Sequence, residues 1–122
     1  MVVFGGEFFH DFDDLWLYNM ETCHWTEVDF KEKDLKPAAR KFASSLKYEN
    51  KMYIIGGCEN KYECIDDIFY MDFETFLETE DVADLKWKEL KVSKRELIRR
   101  WGHASSIKDN KAYVFGLSLI HI

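Results

Sequence analysis

The sequence predicts an all-β chain whose short antiparallel strands recur in four-stranded units. Three observations point there. Apolar runs rich in β-branched and aromatic residues end on glycine in MVVFGG (1–6), KMYIIGG (51–57) and KAYVFGL (111–117), with first glycines 51 and then 60 residues apart. An acidic pair leads into an aromatic run in both DDLWLYN (13–19) and DDIFYMD (66–72). No segment sustains the 3.6-residue apolar period of a helix, and self-similarity at about 50 residues marks stacked supersecondary units.

Each unit has four segments in a fixed order. A small, alternating stretch comes first, RKFASSLKY (40–48) and RWGHASSIK (100–108). A polar turn follows, Glu49 with Asn50 and Asp109 with Asn110, carrying asparagine where a tight hairpin can need positive φ. The glycine-ended run is second; a 60-residue shift lays Arg40 on Arg100, Asn50 on Asn110, Tyr53 on Tyr113 and Gly56 on Gly116. The acidic pair and its aromatic strand are third, with a 53-residue shift that lays Trp16 on Phe69 and Tyr18 on Met71. A strand opened by tryptophan is fourth, HWTEVDF (24–30) and KWKELKV (86–92), with polar/apolar alternation that puts Val28 and Leu90 on equivalent faces. The one large insertion between copies, ETFLETEDVADLK (74–86), is acidic and fits a short helical turn. Four short strands joined by short links make a meander that must stack on its neighbours to bury both faces, the arrangement of propeller blades.

These segments resemble the kelch repeat. The glycine doublets are Gly5-Gly6 and Gly56-Gly57, the tyrosine is Tyr18, the tryptophans are Trp25 and Trp87, Arg100 with His103 matches the blade start, and Gly116 stands at the first-glycine position of a third copy. Met71 stands in place of the tyrosine, Ala43 in place of the histidine and Leu117 in place of the second glycine. The resemblance implies a fragment of a kelch-type β-propeller: a partial blade over 1–30, a full blade over 40–92 and a partial blade over 100–116. The repeat register fails abruptly at LSLIHI (117–122), whose wording is similar to translated adapter read-through, so a non-native tail is expected there. The doublets are expected to release the chain from a strand in a conformation that a Cβ would penalise. Asp66 and Asp67 are expected to bond nearby backbone N–H groups, and Tyr18, Trp25 and Trp87 to fill the space between blades. Arg100 and His103 are expected to be structural.

Composition narrows the function classes. A net charge of −6 argues against a nucleic-acid partner, which needs a basic footprint. No run approaches the ~20 apolar residues of a membrane helix, and VVFGG directly after Met1 is unlike a signal peptide. Three cysteines, Cys23, Cys58 and Cys64, in an aromatic-rich chain read as reduced thiols, hence a cytoplasmic or nuclear setting. Cys58 and Cys64 are spaced to pair on a loop, and C-x5-C without a nearby histidine is a poor zinc spacing.

No catalytic, cofactor or metal site emerges. There is no phosphate-binding glycine loop and no G-x-S-x-G around Ser44-Ser45 or Ser105-Ser106. The four histidines are scattered, and acidic pairs that recur with the repeat are structural. The resemblance implies a protein-interaction module, a scaffold or substrate-receptor part, whose partners are proteins and the remaining blades. The competing expectation is the propeller of an oxidase- or lyase-type enzyme with its reactive groups outside this stretch. Loops on a rigid scaffold are where binding resides, which selects His10, Asp11, Glu59, Lys61, Arg95 and Arg99 as partner-binding candidates. The links 7–14 and 58–67 are expected to share one rim with 31–39 and 91–99. The raw faces of such a piece predict an isolated chain that is unstable or oligomeric.

Overall fold

A computed structural model describes residues 1–59 and 63–116. The chain is nearly all β, with strands β1 (Val2–Phe4), β2 (Glu7–Phe8), β3 (His10–Asp11), β4 (Leu15–Asn19), β5 (His24–Val28), β6 (Ser44–Tyr48), β7 (Lys51–Ile55), β8 (Ile68–Asp72), β9 (Trp87–Glu89), β10 (Ala104–Lys108) and β11 (Lys111–Phe115). One short helix, α1 (Glu74–Thr79), and a 3₁₀ turn (Val82–Asp84) occupy the acidic insertion; a second 3₁₀ turn (Arg95–Leu97) lies before β10. The main sheets are antiparallel, with orders β1-β4-β5, β6-β7-β8-β9 and β10-β11, and β2 pairs with β3 in a small separate ribbon. The four-stranded sheet is a complete blade flanked by a three-stranded and a two-stranded sheet.

Register explains which residues make the core. In the complete blade Ser45, Ile54, Phe69 and Glu89 lie in one cross-strand row and Lys47, Met52, Met71 and Trp87 in the next. Strand residues alternate between faces, so Ile54, Phe69, Met71 and Trp87 all project toward the first blade. There they join Leu15 and Val28, with Leu85 from the insertion, in one buried cluster. Phe4 meets the Trp87 ring edge-on at 5.1 Å. Each fully buried apolar side chain contributes about 1.5–3 kcal/mol, so this interface is the main source of cohesion. The opposite face of the blade buries Leu46 and Ile55 but leaves Tyr53 and Tyr70, stacked at 5.5 Å, half-covered.

Trp25 and Trp87 occupy equivalent register positions, opposite Tyr18 and Met71 respectively. Their surroundings differ. Trp87 is 3% exposed beneath the first blade, whereas Trp25 is 52% exposed. Trp25 lies against Tyr18 at 4.7 Å, on the face of β4 and β5 turned away from the second blade, which is the face that the preceding blade covers at Trp87. Val28 and Leu90 diverge for the mirror-image reason. Val28 packs into the cluster, while Leu90 projects where only β10 and β11 stand and is 39% exposed.

The two inner hairpins are joined by a hydrogen bond from the Tyr48 hydroxyl to Asn110 Oδ1, turn to turn. Positive φ falls on Asp109 and Asn110 in one turn, but on Glu49 rather than Asn50 in the other.

Candidate functional site

The recurrent motif residues build a latch at each blade junction. The first glycine of each doublet bonds the acidic link of its own blade, Gly5 N to Asp14 O at 3.2 Å and Gly56 N to Asp67 O at 3.1 Å. The second donates to the arginine that starts the next blade, Gly6 N to Arg40 O and Gly57 N to Arg100 O, both at 2.9 Å. All four glycines have positive φ.

Arg40 turns back into its blade. It is fully buried, donates to the Gly56 carbonyl at 3.0 Å and forms a forked pair with Asp67 at 2.5 and 3.2 Å. Arg100 repeats the backbone half of this pattern, donating to Gly116 O at 3.0 Å. The acidic pair thus receives guanidinium groups, which corrects the expectation of backbone N–H partners: Asp67 takes Arg40, and Asp66 takes Arg95 and Arg99, each at 2.7 Å. In the first copy Asp13 pairs with Lys36 at 2.9 Å, and Asp14 accepts from Trp16 Nε1 at 2.7 Å.

His103 is buried at the junction, with Nε2 at 2.8 Å from Ser44 Oγ. Burial, and then the Arg100 charge, holds its pKa below the ordinary imidazole value, against an opposing pull from the Ile55 backbone. A depressed folded pKa makes protonation favour the unfolded chain. Stability is then fully present above about pH 6.5, the unfolded value, and declines as pH falls toward the folded pKa. Urea midpoints measured across that window should fall with pH in the parent chain and fall less in His103→Gln.

On one rim the link 7–14 meets the link 31–39 through the Asp13–Lys36 ion pair, and Asp66, just before β8, meets Arg95 and Arg99 of the link 91–99. Arg95 and Arg99 are half-exposed in this cluster, and Arg99, with Arg95 behind it, holds the Asp66 carboxyl below the usual carboxylate range. Glu59 and His10 are exposed, the latter with its ring 4.8 Å from Phe12. Asp11 is a correction. It is 7% exposed, beneath the β2–β3 ribbon with Lys41 Nζ at 3.9 Å, so it offers little to a partner. Lys61 and the tail 117–122 lie outside the described residues.

Several rim residues escaped sequence reasoning. The link 7–14 folds as a ribbon whose tip is Phe9, at φ 65° and 95% exposed, with Phe8 68% exposed and the two rings 4.4 Å apart. Lys41 braces the ribbon through Glu7 at 2.7 Å. Phe42, also at positive φ and exposed, lies 5.4 Å from Trp101 of the next junction, with Lys41 Nζ 5.8 Å from its ring. A pair of phenylalanines between a glycine doublet and an acidic pair was the available signal.

On the opposite rim a cavity of about 750 Å³ lies between the first blade and α1, lined by Val2, Leu17, Met52, Phe73 and Phe76 among others. Among the described residues no three His, Cys, Asp or Glu side chains are grouped to hold a metal, and no helix is long and apolar enough to cross a membrane.

Residues 1–119 match the family model described as the KLHDC2/KLHL20/DRC7 Kelch-repeats domain. Host cell factor homolog hcf-1 of Caenorhabditis elegans is 39% identical over 59 residues, which are 47% of this chain and 8% of that protein. The solved structure of YjhT superposes with a TM-score of 0.62 at 18% identity, over 84% of this chain and 26% of that one, a likeness of fold alone. The chain thus spans about a quarter or less of these relatives. Latch, register and family match agree: the chain belongs to the kelch-repeat family and folds as part of its β-propeller.

Proposed function

We propose that this segment serves a kelch propeller as a protein-docking surface, in a scaffold or substrate receptor, and that the docking rim is the one bearing Phe8, Phe9, His10, Glu59, Arg95 and Arg99. The observation that carries this reading is Phe9. A bulky residue at φ 65° is strained, and a ring 95% exposed forgoes burial. Neither feature returns anything to the fold, and strain of this kind concentrates at functional positions. Aromatic side chains fenced by polar and charged groups are the usual anchors of protein interfaces, and here Lys41, Glu7 and the Asp66 cluster supply the fence. Arg95 and Arg99 are half-exposed and already positioned by Asp66, so a partner's acidic groups would meet them at little ordering cost. The setting that follows is a reducing one, cytoplasm or nucleus.

The test is co-purification from cells expressing the full-length protein, native or with Phe8→Ala and Phe9→Ala together. Binding of the principal partner should weaken at least about thirtyfold, since truncating a hot-spot aromatic removes about 2 kcal/mol or more. Folding should be unchanged by circular dichroism, because both rings are exposed. An unaltered partner set with that variant contradicts the assignment.

A further inference from the structure

Cys58 and Cys64 stand directly opposite each other in a short antiparallel bridge on the same rim. Glu59 N donates to Glu63 O at 3.0 Å on one side of them and Ile65 N to Gly57 O at 2.9 Å on the other. The cysteines therefore occupy the non-hydrogen-bonded position between two rungs, where Cα atoms are about 4.5 Å apart and side chains closest. A disulfide needs Cα atoms about 4.4–6.8 Å apart and Cβ atoms about 3.5–4.5 Å apart. The non-hydrogen-bonded pairing meets the Cα requirement and brings the two side chains to the closest cross-strand position, and neither cysteine is in a disulfide.

Cys58 is also held from behind. Its N–H donates to Lys41 O at 2.9 Å and its carbonyl accepts from Lys41 N at 3.0 Å, so it is the middle rung of a Lys41–Cys58–Cys64 ladder. Cys58 is fully buried and Cys64 half-buried, which gives the two thiols different access to solvent. Burial pushes the Cys58 thiol up, and the Lys41 ammonium pulls it back down. Cys23 is exposed in the turn between β4 and β5, on the opposite rim, and provides an internal reference.

We propose that Cys58 and Cys64 are a reversible redox pair, converted to a cross-strand disulfide by exchange with a low-molecular-weight disulfide such as glutathione disulfide. The Cys64 thiolate attacks one sulfur of the oxidant, whose S–S bond breaks and releases one glutathione thiolate to take up a proton. Cys58 loses its proton and attacks the Cys64 sulfur of the mixed disulfide, releasing the second glutathione. Two protein thiols and one glutathione disulfide become one protein disulfide and two glutathione thiols, so hydrogens and electrons balance. The cross-link fixes the base of the loop that bears Glu59, beside the Asp66–Arg95–Arg99 cluster. Such reversible couples are the usual form of disulfide in a reducing compartment.

The experiment equilibrates the reduced, folded protein in glutathione buffers of rising oxidised fraction, quenches in acid, unfolds, alkylates with N-ethylmaleimide and maps the peptides by mass. The second step is intramolecular, so the pair should oxidise at an oxidised fraction about tenfold lower than the one that modifies Cys23. The peptide bearing Cys58 and Cys64 should then lose two hydrogens and both alkyl groups. With Cys58→Ser, Cys64 should carry a single glutathione. Persistence of both alkyl groups under conditions that modify Cys23, separate glutathione adducts on Cys58 and Cys64, or pairing of either with Cys23 overturns the proposal.

Discussion

Replacing Arg40 with alanine is expected to destabilise the protein by about 3–5 kcal/mol, the loss that follows when one member of a buried ion pair is removed. Arg40 is fully buried, and its guanidinium serves the Asp67 carboxylate and the Gly56 carbonyl while Nε serves Ala38 O. Truncation leaves an uncompensated carboxylate and two backbone acceptors inside the blade junction. Arg95→Ala and Arg99→Ala remove pairs of similar length at half-exposed positions, and each should cost under about 1 kcal/mol. Urea unfolding followed by tryptophan fluorescence separates these cases. The double variant Arg40→Met with Asp67→Leu should recover much of the loss, since the charge would no longer be stranded. A loss below about 1 kcal/mol for Arg40→Ala would show that the latch is not what holds the junction.

Gly56→Ala should be comparably severe. The residue has φ +63, and a Cβ there would lie 2.7 Å from Arg100 O, with the Ile98 carbonyl and His103 Cε1 both at 3.1 Å. The left-handed conformation costs an L-residue about 1–2 kcal/mol, and displacing a neighbouring blade's backbone adds about 1–3 kcal/mol. Gly6→Ala is the matched control, because its φ is +102 and nothing lies within 4 Å of the added Cβ. It should show the conformational penalty alone. Equal losses for the two variants would mean that the close approach of Arg100 to Gly56 contributes nothing.

The strands and their order were legible because their signals are local. Period-2 alternation, glycine at the end of β7 and tryptophan at the start of β9 each act within a few residues, and the repeat let one copy check the other. What the sequence did not disclose depends on contacts across the chain. The partner of Asp67 is 27 residues away, and only the parallel registers of Arg40 with Arg100 and Asp14 with Asp67 hinted at a recurring pair. The exposure of Trp25 depends on what covers the outer face of β4 and β5, which its own sequence cannot state. The β2–β3 ribbon was hidden because its turn is made at Phe9, a residue type that disfavours positive φ, and because its strands are two residues long. Asp11 reads as a loop acid yet is buried, since that ribbon folds it under Lys41.

The faces left uncovered have a physical consequence for the 122-residue chain alone. Val3 and Trp25 at one end and Tyr113 and Phe115 at the other are 40–81% exposed, and apolar blade faces of this kind associate. Measurements of docking therefore belong in the full-length protein, where the rim can be probed without that complication.

The most direct measurement places a photo-crosslinking phenylalanine analogue at Phe9 in the full-length protein, and separately at Glu78 of α1 on the opposite rim. Docking through the aromatic ribbon predicts a discrete protein adduct from position 9, competed away by unlabelled protein, and none from position 78. Adducts from position 78 with none from position 9 would contradict it.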